Sequence, residues 1–442
     1  MAQALNLPEI KILVGEHLDR KSIYACVQVS HSFRAVFSPF LYKFLILGSS
    51  DASSTQARVA PKTLSANAYH VEELSLAGQW AVEYYEIQYP RLRVLRLDKL
   101  KYGPQVLLDQ ISKAFALGNL ARLNPTVEFL SIVRLGLHLP DSFWDAISQE
   151  WHKPWTLLIQ DISVSEYNAD AFLKACARFE NIELYEISLE PVAAPLTHCF
   201  RRIKTLSIAF HPQPHLMSAL DQLAFIKCCP ELTSLTWDLR GLILPLQELK
   251  EAFKEKTWPK LDSLRLLKTS IESDELQGVL DIAPPLKVLE LWSCSFTRVA
   301  LNSLENRHFK TLVKLQLGNL VGLSDNMALA VLSGCPLLED FVGGQILAQN
   351  IAKWSRPWVC ERLKSLRIYI MVYSRDPPEW EHAALVRLAA LKNLQFLNLQ
   401  RNIAQDQHEM HDGRFVIARP IRRALAKEYA SLAKLGPHAF HV

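Results

Sequence analysis

The chain has 442 residues, 49% hydrophobic and 21% charged, with a formal net charge of +4. That length exceeds the roughly 250–300 residues that one compact core supports, so several domains or a repeat architecture are expected. No stretch approaches the ~18–20 uninterrupted apolar residues of a membrane span, and the basic residues are interspersed with acidic ones, so neither a membrane nor a nucleic acid is an expected partner.

The opening, MAQALNLPEIKILVGEHLDR, has charged residues among its apolar ones and lacks the pattern of a secretory leader. Eight cysteines (Cys26, Cys176, Cys199, Cys228, Cys229, Cys294, Cys335 and Cys360) are scattered without a CxxC pair. This argues against a disulfide framework or a zinc site and for an intracellular, reducing compartment, cytoplasm or nucleus.

The first forty-seven residues carry three short helical patterns. One runs from Pro8 to Leu18, with Ile10, Leu13, Val14 and Leu18 on one face; one from Ser22 to Val29, with Ile23, Cys26 and Val27; and one follows the capping residue Ser30, with Phe33, Val36 and Phe37. Pro8 sits near a first helical turn, where a missing amide costs little. Three helices in so few residues make a marginal core, which a partner would complete.

This segment resembles an F-box. The family's opening Leu-Pro, acidic residue and helix match Leu7, Pro8, Glu9 and Ile10. Its Leu-Asp between helices matches Leu18 and Asp19, and a later Val-Cys-Lys-x-Trp portion is echoed by Val29, Ser30, His31 and Phe33, with Ser30 and Phe33 as departures. The ending FSPFLYKFLIL looks like F-box proteins of fungi. The resemblance implies docking on a Skp-type adaptor of a cullin-RING ubiquitin ligase through Leu7, Pro8, Ile10, Leu13, Leu18, Ile23, Val27 and Phe33. The alternative is an amphipathic helical cap over whatever follows.

Residues 48–68 are rich in small polar side chains and are read as a linker. Beyond it the pattern φxxφxφ, φ being apolar, recurs from residues 71, 92, 127, about 157, 182, 203, 232, 261, 286, 312, 338, 363 and 394. Intervals run from 21 to 35 residues and are 25 or 26 between 261 and 363, a spacing that resembles leucine-rich repeats. The fourth and sixth positions lie two apart, so an extended strand points both into the stack. One strand cannot bury that stripe alone, but stacked neighbours bury it together.

Helix-spaced residues fill the intervals: Leu276, Val279 and Leu280 after a Ser-Asp cap, and Leu329, Val331 and Leu332 after another. A proline commonly ends each helix before the next strand. Three places past the pattern, where such repeats bend away from the strand, stand Gln79, Thr269, Cys294 and Asn402.

The expected fold is therefore α/β: a small three-helix F-box at 1–47, a linker at 48–68, a curved leucine-rich-repeat solenoid with a parallel sheet on one face at 69–405, and a capping segment at 406–442. The basic tail around Arg419, Arg422, Arg423, Lys427 and Lys434 reads as that cap, with an acid-binding helix as the alternative.

Catalytic signatures are lacking in the sequence. There is no GxxxxGK, no GxGxxG after a strand and no GxSxG. VGGQ, from Val342, reads as a turn, and HEMHDG, from His408, departs from HExxH and reads as a polar turn, so no cofactor or metal is expected. Outward strand positions instead offer Asp238, Arg265, Glu290, Trp292, Lys314, Gln316, Arg367 and Tyr369, a set rich in the side chains that anchor protein recognition. The resemblance then implies a non-enzymatic receptor whose repeats hold a protein substrate for ubiquitin transfer by other subunits. A repeat scaffold or inhibitor without any ligase is the second reading, and an enzyme on the repeat frame the third.

Overall fold

The structure, a computed structural model, describes residues 7–47, 59–77, 82–98, 107–135, 139–190, 199–213, 216–318, 320–373 and 376–404. The chain divides into two compact units, one up to Pro230 and one from Glu231 onward.

The first unit begins with three helices, α1 (Pro8–His17), α2 (Arg20–Val29) and α3 (His31–Lys43). Asp19 caps α2 by accepting a bond from Ser22 N at 2.9 Å, and Ser30 caps α3 through Phe33 N at 3.2 Å. Each cap satisfies an amide that the first helical turn leaves without a partner.

α3 passes without a linker into strand β1 (Phe44–Leu47), whose Leu45 and Leu47 are buried. The four residues expected to close the helical domain thus form the first rung of a sheet, Leu45 opposite Leu74 and Leu47 opposite Leu76. Tyr42, Leu45 and Leu47 are one more φxxφxφ, hidden in the sequence by the F-box-like ending. The last part of the expected linker is also ordered: Pro61–Asn67 forms helix α4, with Leu64 fully buried.

The rest of this unit is β2 (Glu73–Ala77), β3 (Val94–Asp98), α5 (Leu107–Leu123), β4 (Phe129–Val133), α6 (Asp141–Glu150), β5 (Thr156–Gln160), β6 (Ser163–Val164), α7 (Glu166–Cys176), β7 (Asn181–Leu189), β8 (Thr205–Phe210) and α8 (Ala219–Lys227). All pairings are parallel and follow chain order, except that the two-residue β6 lies beside the far end of β7.

The second unit repeats the plan with β9 (Ser234–Asp238), α9 (Leu246–Lys254), β10 (Ser263–Leu267), α10 (Ser273–Leu280), β11 (Val288–Trp292), α11 (Arg298–Arg307), β12 (Lys314–Gly318), α12 (Asp325–Gly334), β13 (Asp340–Leu347), α13 (Ala348–Lys353), β14 (Ser365–Tyr373), α14 (Pro378–Ala389) and β15 (Phe396–Ala404). Here too the strands pair in parallel and in sequence. The fold is a three-helix domain followed by leucine-rich-repeat sheets.

Register is read directly from the apolar ladder. Leu235, Leu264, Leu289, Leu315, Phe341 and Leu366 align across neighbouring strands and are all buried. At the residue before many of the strands stand paired charges, with Lys43–Glu72 at 3.3 Å and Arg93–Glu128 at 2.7 Å in the first unit, and Asp262–Lys287 at 2.8 Å and Glu339–Lys364 at 2.6 Å in the second. Each exposed pair contributes under ~1 kcal/mol, but the alternating sign disfavours a slip that would set like charges side by side.

Leaving the sheet takes strain. Arg134, Asp161, Lys268 and Ser293 each directly follow a strand and have φ between 52° and 59°, a left-handed geometry that costs a non-glycine residue about 1 kcal/mol or more. Asp238 stabilises the equivalent turn at Arg240 (φ 50°) by accepting from its backbone N at 3.0 Å.

Four sequence readings are corrected. The repeat placed at Ile182 starts three residues earlier, because Phe179, Ile182 and Leu184 are the buried set and a bulge at Glu186 then brings in Ile187. The degenerate copy near 157 starts at Pro154, with Leu157 and Ile159 inward. VGGQ is not a turn but part of β13, where Gly343 and Gly344 form a register shift. Asn402 continues β15 opposite Met371 instead of bending away.

Candidate functional site

Helix α1 packs inside out relative to its sequence pattern. Its buried residues are Lys11 and Gly15, whereas Ile12, Leu13 and Val14 are exposed, Leu13 to 59%. Gly15 explains the choice: a Cβ there would lie 2.7 Å from the Phe40 ring, so only glycine lets α1 approach α3 this closely. Lys11 tolerates the interior because its Nζ donates to Ser32 Oγ at 2.9 Å and lies 4.6 Å from the Phe33 ring centre. At 100° per residue, Ile10, Leu13 and Val14 then span about 100° of the helix, with Leu7 exposed at the N-cap ahead of them, a stripe turned away from the domain's core.

The eight residues carried over from the F-box resemblance divide accordingly. Leu7, Pro8 and Leu13 are exposed; Ile10, Leu18, Val27 and Phe33 are half-buried; Ile23 is buried in the domain's own core. Phe33 also stacks on Phe37 with ring centres 5.5 Å apart. Sequence reasoning missed the exposed Ile12, Tyr24 and Val29. No local signal marks Ile12, which lies three residues from the buried Gly15 and only about 60° round the helix from it.

In the second unit the outward strand positions meet as a chain of charges. Glu290 Oε1 lies 2.7 Å from Lys314 Nζ and 3.5 Å from Arg265 Nε, and Gln316 Nε2 donates to Asp340 Oδ2 at 3.1 Å. Asp340, unnamed by the sequence reading, is also 3.9 Å from Lys314. Asp238 stands apart from this group and pairs with Lys268 at 2.9 Å.

Beside the charges, Trp292 is 37% exposed and lies across Gly318, where an added Cβ would come within 2.7 Å of the indole. Arg367 and Tyr369 are exposed on β14. The surface therefore offers aromatic rings beside internally compensated charge, a composition suited to recognition by shape and stacking.

Burial raises the Cys294 and Cys360 pKa values to about 12 and leaves neither as a useful thiolate near neutrality. Among the described residues no group of three or more His, Cys, Asp or Glu side chains could hold a metal, and no helix is long and apolar enough to cross a membrane. The HEMHDG stretch and the basic tail lie outside the described residues.

No protein-family model matches the chain, and no curated protein matches it. Among solved structures, a chain in the crystal structure of the Rad7 and Elc1 complex in yeast is similar, with 14% identity over 94% of both chains and a TM-score of 0.45. A likeness at that distance transfers neither a family nor a partner.

Proposed function

We propose that the chain is a substrate receptor of a cullin-RING ubiquitin ligase: the three-helix domain docks on a Skp-type adaptor, and the repeat sheet holds a protein substrate that other subunits ubiquitinate. The observation that carries this is the apolar stripe of α1, built from Leu7, Ile10, Leu13 and Val14 and turned away from its own core. A helix that served only to cap the repeats would bury that stripe against them. Here the helical domain buries a lysine instead and leaves its leucines for a partner.

In this reading the adaptor covers Leu7, Pro8, Ile10, Leu13, Leu18, Val27 and Phe33, while Ile23 holds α2 in place from within. The substrate lies on the surface marked by Asp238, Arg265, Glu290, Trp292, Lys314, Gln316, Arg367 and Tyr369. Because α3 runs straight into β1, a docked helical domain passes its orientation to the first repeats without an intervening linker.

The test is co-purification of the full chain with a Skp-type adaptor. Leu13→Asp should abolish capture while leaving the far-ultraviolet circular dichroism and melting temperature unchanged, since Leu13 contributes little to the domain's own packing. Equal capture by wild type and Leu13→Asp would overturn the docking face. A well-folded wild-type chain that captures no adaptor would favour a ligase-independent repeat scaffold.

A further inference from the structure

A second surface lies where the helices meet the sheet, distinct from the α1 stripe. A groove of about 570 Å³ is lined by Arg20 and Lys21 of α2, Leu41 of α3, and Leu45, Ile46 and Leu47 of β1. Three consecutive strand residues point alternately to opposite faces, so a groove touching all three runs along the edge of β1.

That edge is open. In later rungs of the same unit the first strand residue donates its amide to the rung before: Val94 to Glu72, Phe129 to Arg93, Thr156 to Glu128, Asn181 to Trp155 and Thr205 to Glu180. Phe44 holds this position in β1, and Ile46, two residues on, faces the same way, yet no described strand precedes β1. Exposed edges of this kind are ordinarily blunted by charge, proline or cover. Here Phe44 and Ile46 are 51% and 53% exposed.

Arg20 and Lys21 supply the rim. Both are exposed, and neither comes within 4.0 Å of a carboxylate among the described residues, Lys21 acting on Asp19 from farther off, whereas the strand-edge cations Lys43, Arg93, Lys204, Lys287 and Lys364 are all paired. An apolar slot, a strand edge with no partner among the described residues and two exposed cations are together complementary to an extended apolar segment that carries carboxylates.

We propose that this groove binds an extended segment of a partner protein, added to β1 as a further strand, with an aliphatic side chain in the slot and acidic residues against Arg20 and Lys21. Main-chain bonds to Phe44 and Ile46 give such an addition its affinity, and the groove and rim give it selectivity. The site stands on residues other than the α1 stripe and does not depend on adaptor docking.

Fluorescence anisotropy of the full chain tests it with two labelled nine-residue peptides of alternating valine and threonine, one ending in two glutamates and one in two lysines. The acidic probe should bind at least tenfold more tightly than the basic one, and the difference should shrink as salt rises. Arg20→Glu/Lys21→Glu, both surface changes, should reverse the preference. Ile46→Pro removes an outward amide without touching the β1–β2 ladder, a change an edge position tolerates, and should weaken the acidic probe at least tenfold. Equal affinity of the two probes for wild type, a preference unmoved by the charge reversal, or no binding of either probe at 1 mM, would overturn the proposal. So would loss of adaptor capture in Arg20→Glu/Lys21→Glu, which would assign the groove to the adaptor interface.

Discussion

Replacing His308 with alanine tests how one buried ring ties two repeats together. His308 is 0% exposed at the end of α11; its Nδ1 accepts from Leu286 N at 3.2 Å and its Nε2 donates to the Leu280 carbonyl at 3.0 Å. That pair of bonds requires the neutral ring with its proton on Nε2. Truncation leaves one buried amide and one buried carbonyl unsatisfied, each costing about 1–3 kcal/mol, so a loss near 4 kcal/mol is expected in the local stability of β11 and β12. Burial also holds the imidazole pKa below its ordinary value, while the unfolded chain titrates near 6.5. Between those values the unfolded state binds more protons, so stability falls as pH drops below about 6.5, with a slope of at most about 1.4 kcal/mol per unit, and levels off below the folded pKa. Hydrogen exchange of peptides covering 286–317 at pH 7.5 and 5.5, in wild type and His308→Ala, reads both effects. A loss under about 1 kcal/mol, or a variant with the same pH dependence as wild type, would refute the reasoning.

Three further outcomes are expected. Asn124→Ala should cost about 2–3 kcal/mol in urea unfolding, because the buried amide accepts from Tyr89 N at 2.6 Å and donates to the Leu120 carbonyl at 2.8 Å. Glu290→Ala should cost about 1–2 kcal/mol, well short of a fully buried ion pair, since Lys314 and Arg265 remain partly solvated and Lys314 keeps Asp340. Glu290→Gln should cost less, because the amide keeps the side chain's volume and loses only its charge, and urea midpoints of the two variants compare them.

The repeat was legible because its signal is redundant. In Leu232, Leu235 and Trp237, or Leu286, Leu289 and Leu291, the spacing alone states which side is buried, and the structure buries all six. The same reading failed by three residues at Ile182, where IELYEI offers a second, equally apolar phase. Only stacking on Leu157 and Ile159 selects Phe179, Ile182 and Leu184. The strand surface was legible as a set of outward positions, since alternation assigns sides. Which of them touch was not, because Glu290 meets Lys314 through cross-strand register, and Asp340 enters only from the next strand.

What the sequence determined by itself is the periodic part: the strands, the helices between them, and the three short helices at the start with Ser30 as a cap. Each follows from local spacing and from groups that must find partners within a few residues. What tertiary structure decided is direction and continuity. α1 carries enough apolar residues to face either way, and the fit of Gly15 against Phe40 turned its leucines outward. The segment FLIL matched the end of a helical domain equally well, and pairing of Leu45 and Leu47 with Leu74 and Leu76 made it a strand. Both choices depend on which long-range neighbour packs more closely, a quantity that no local pattern encodes.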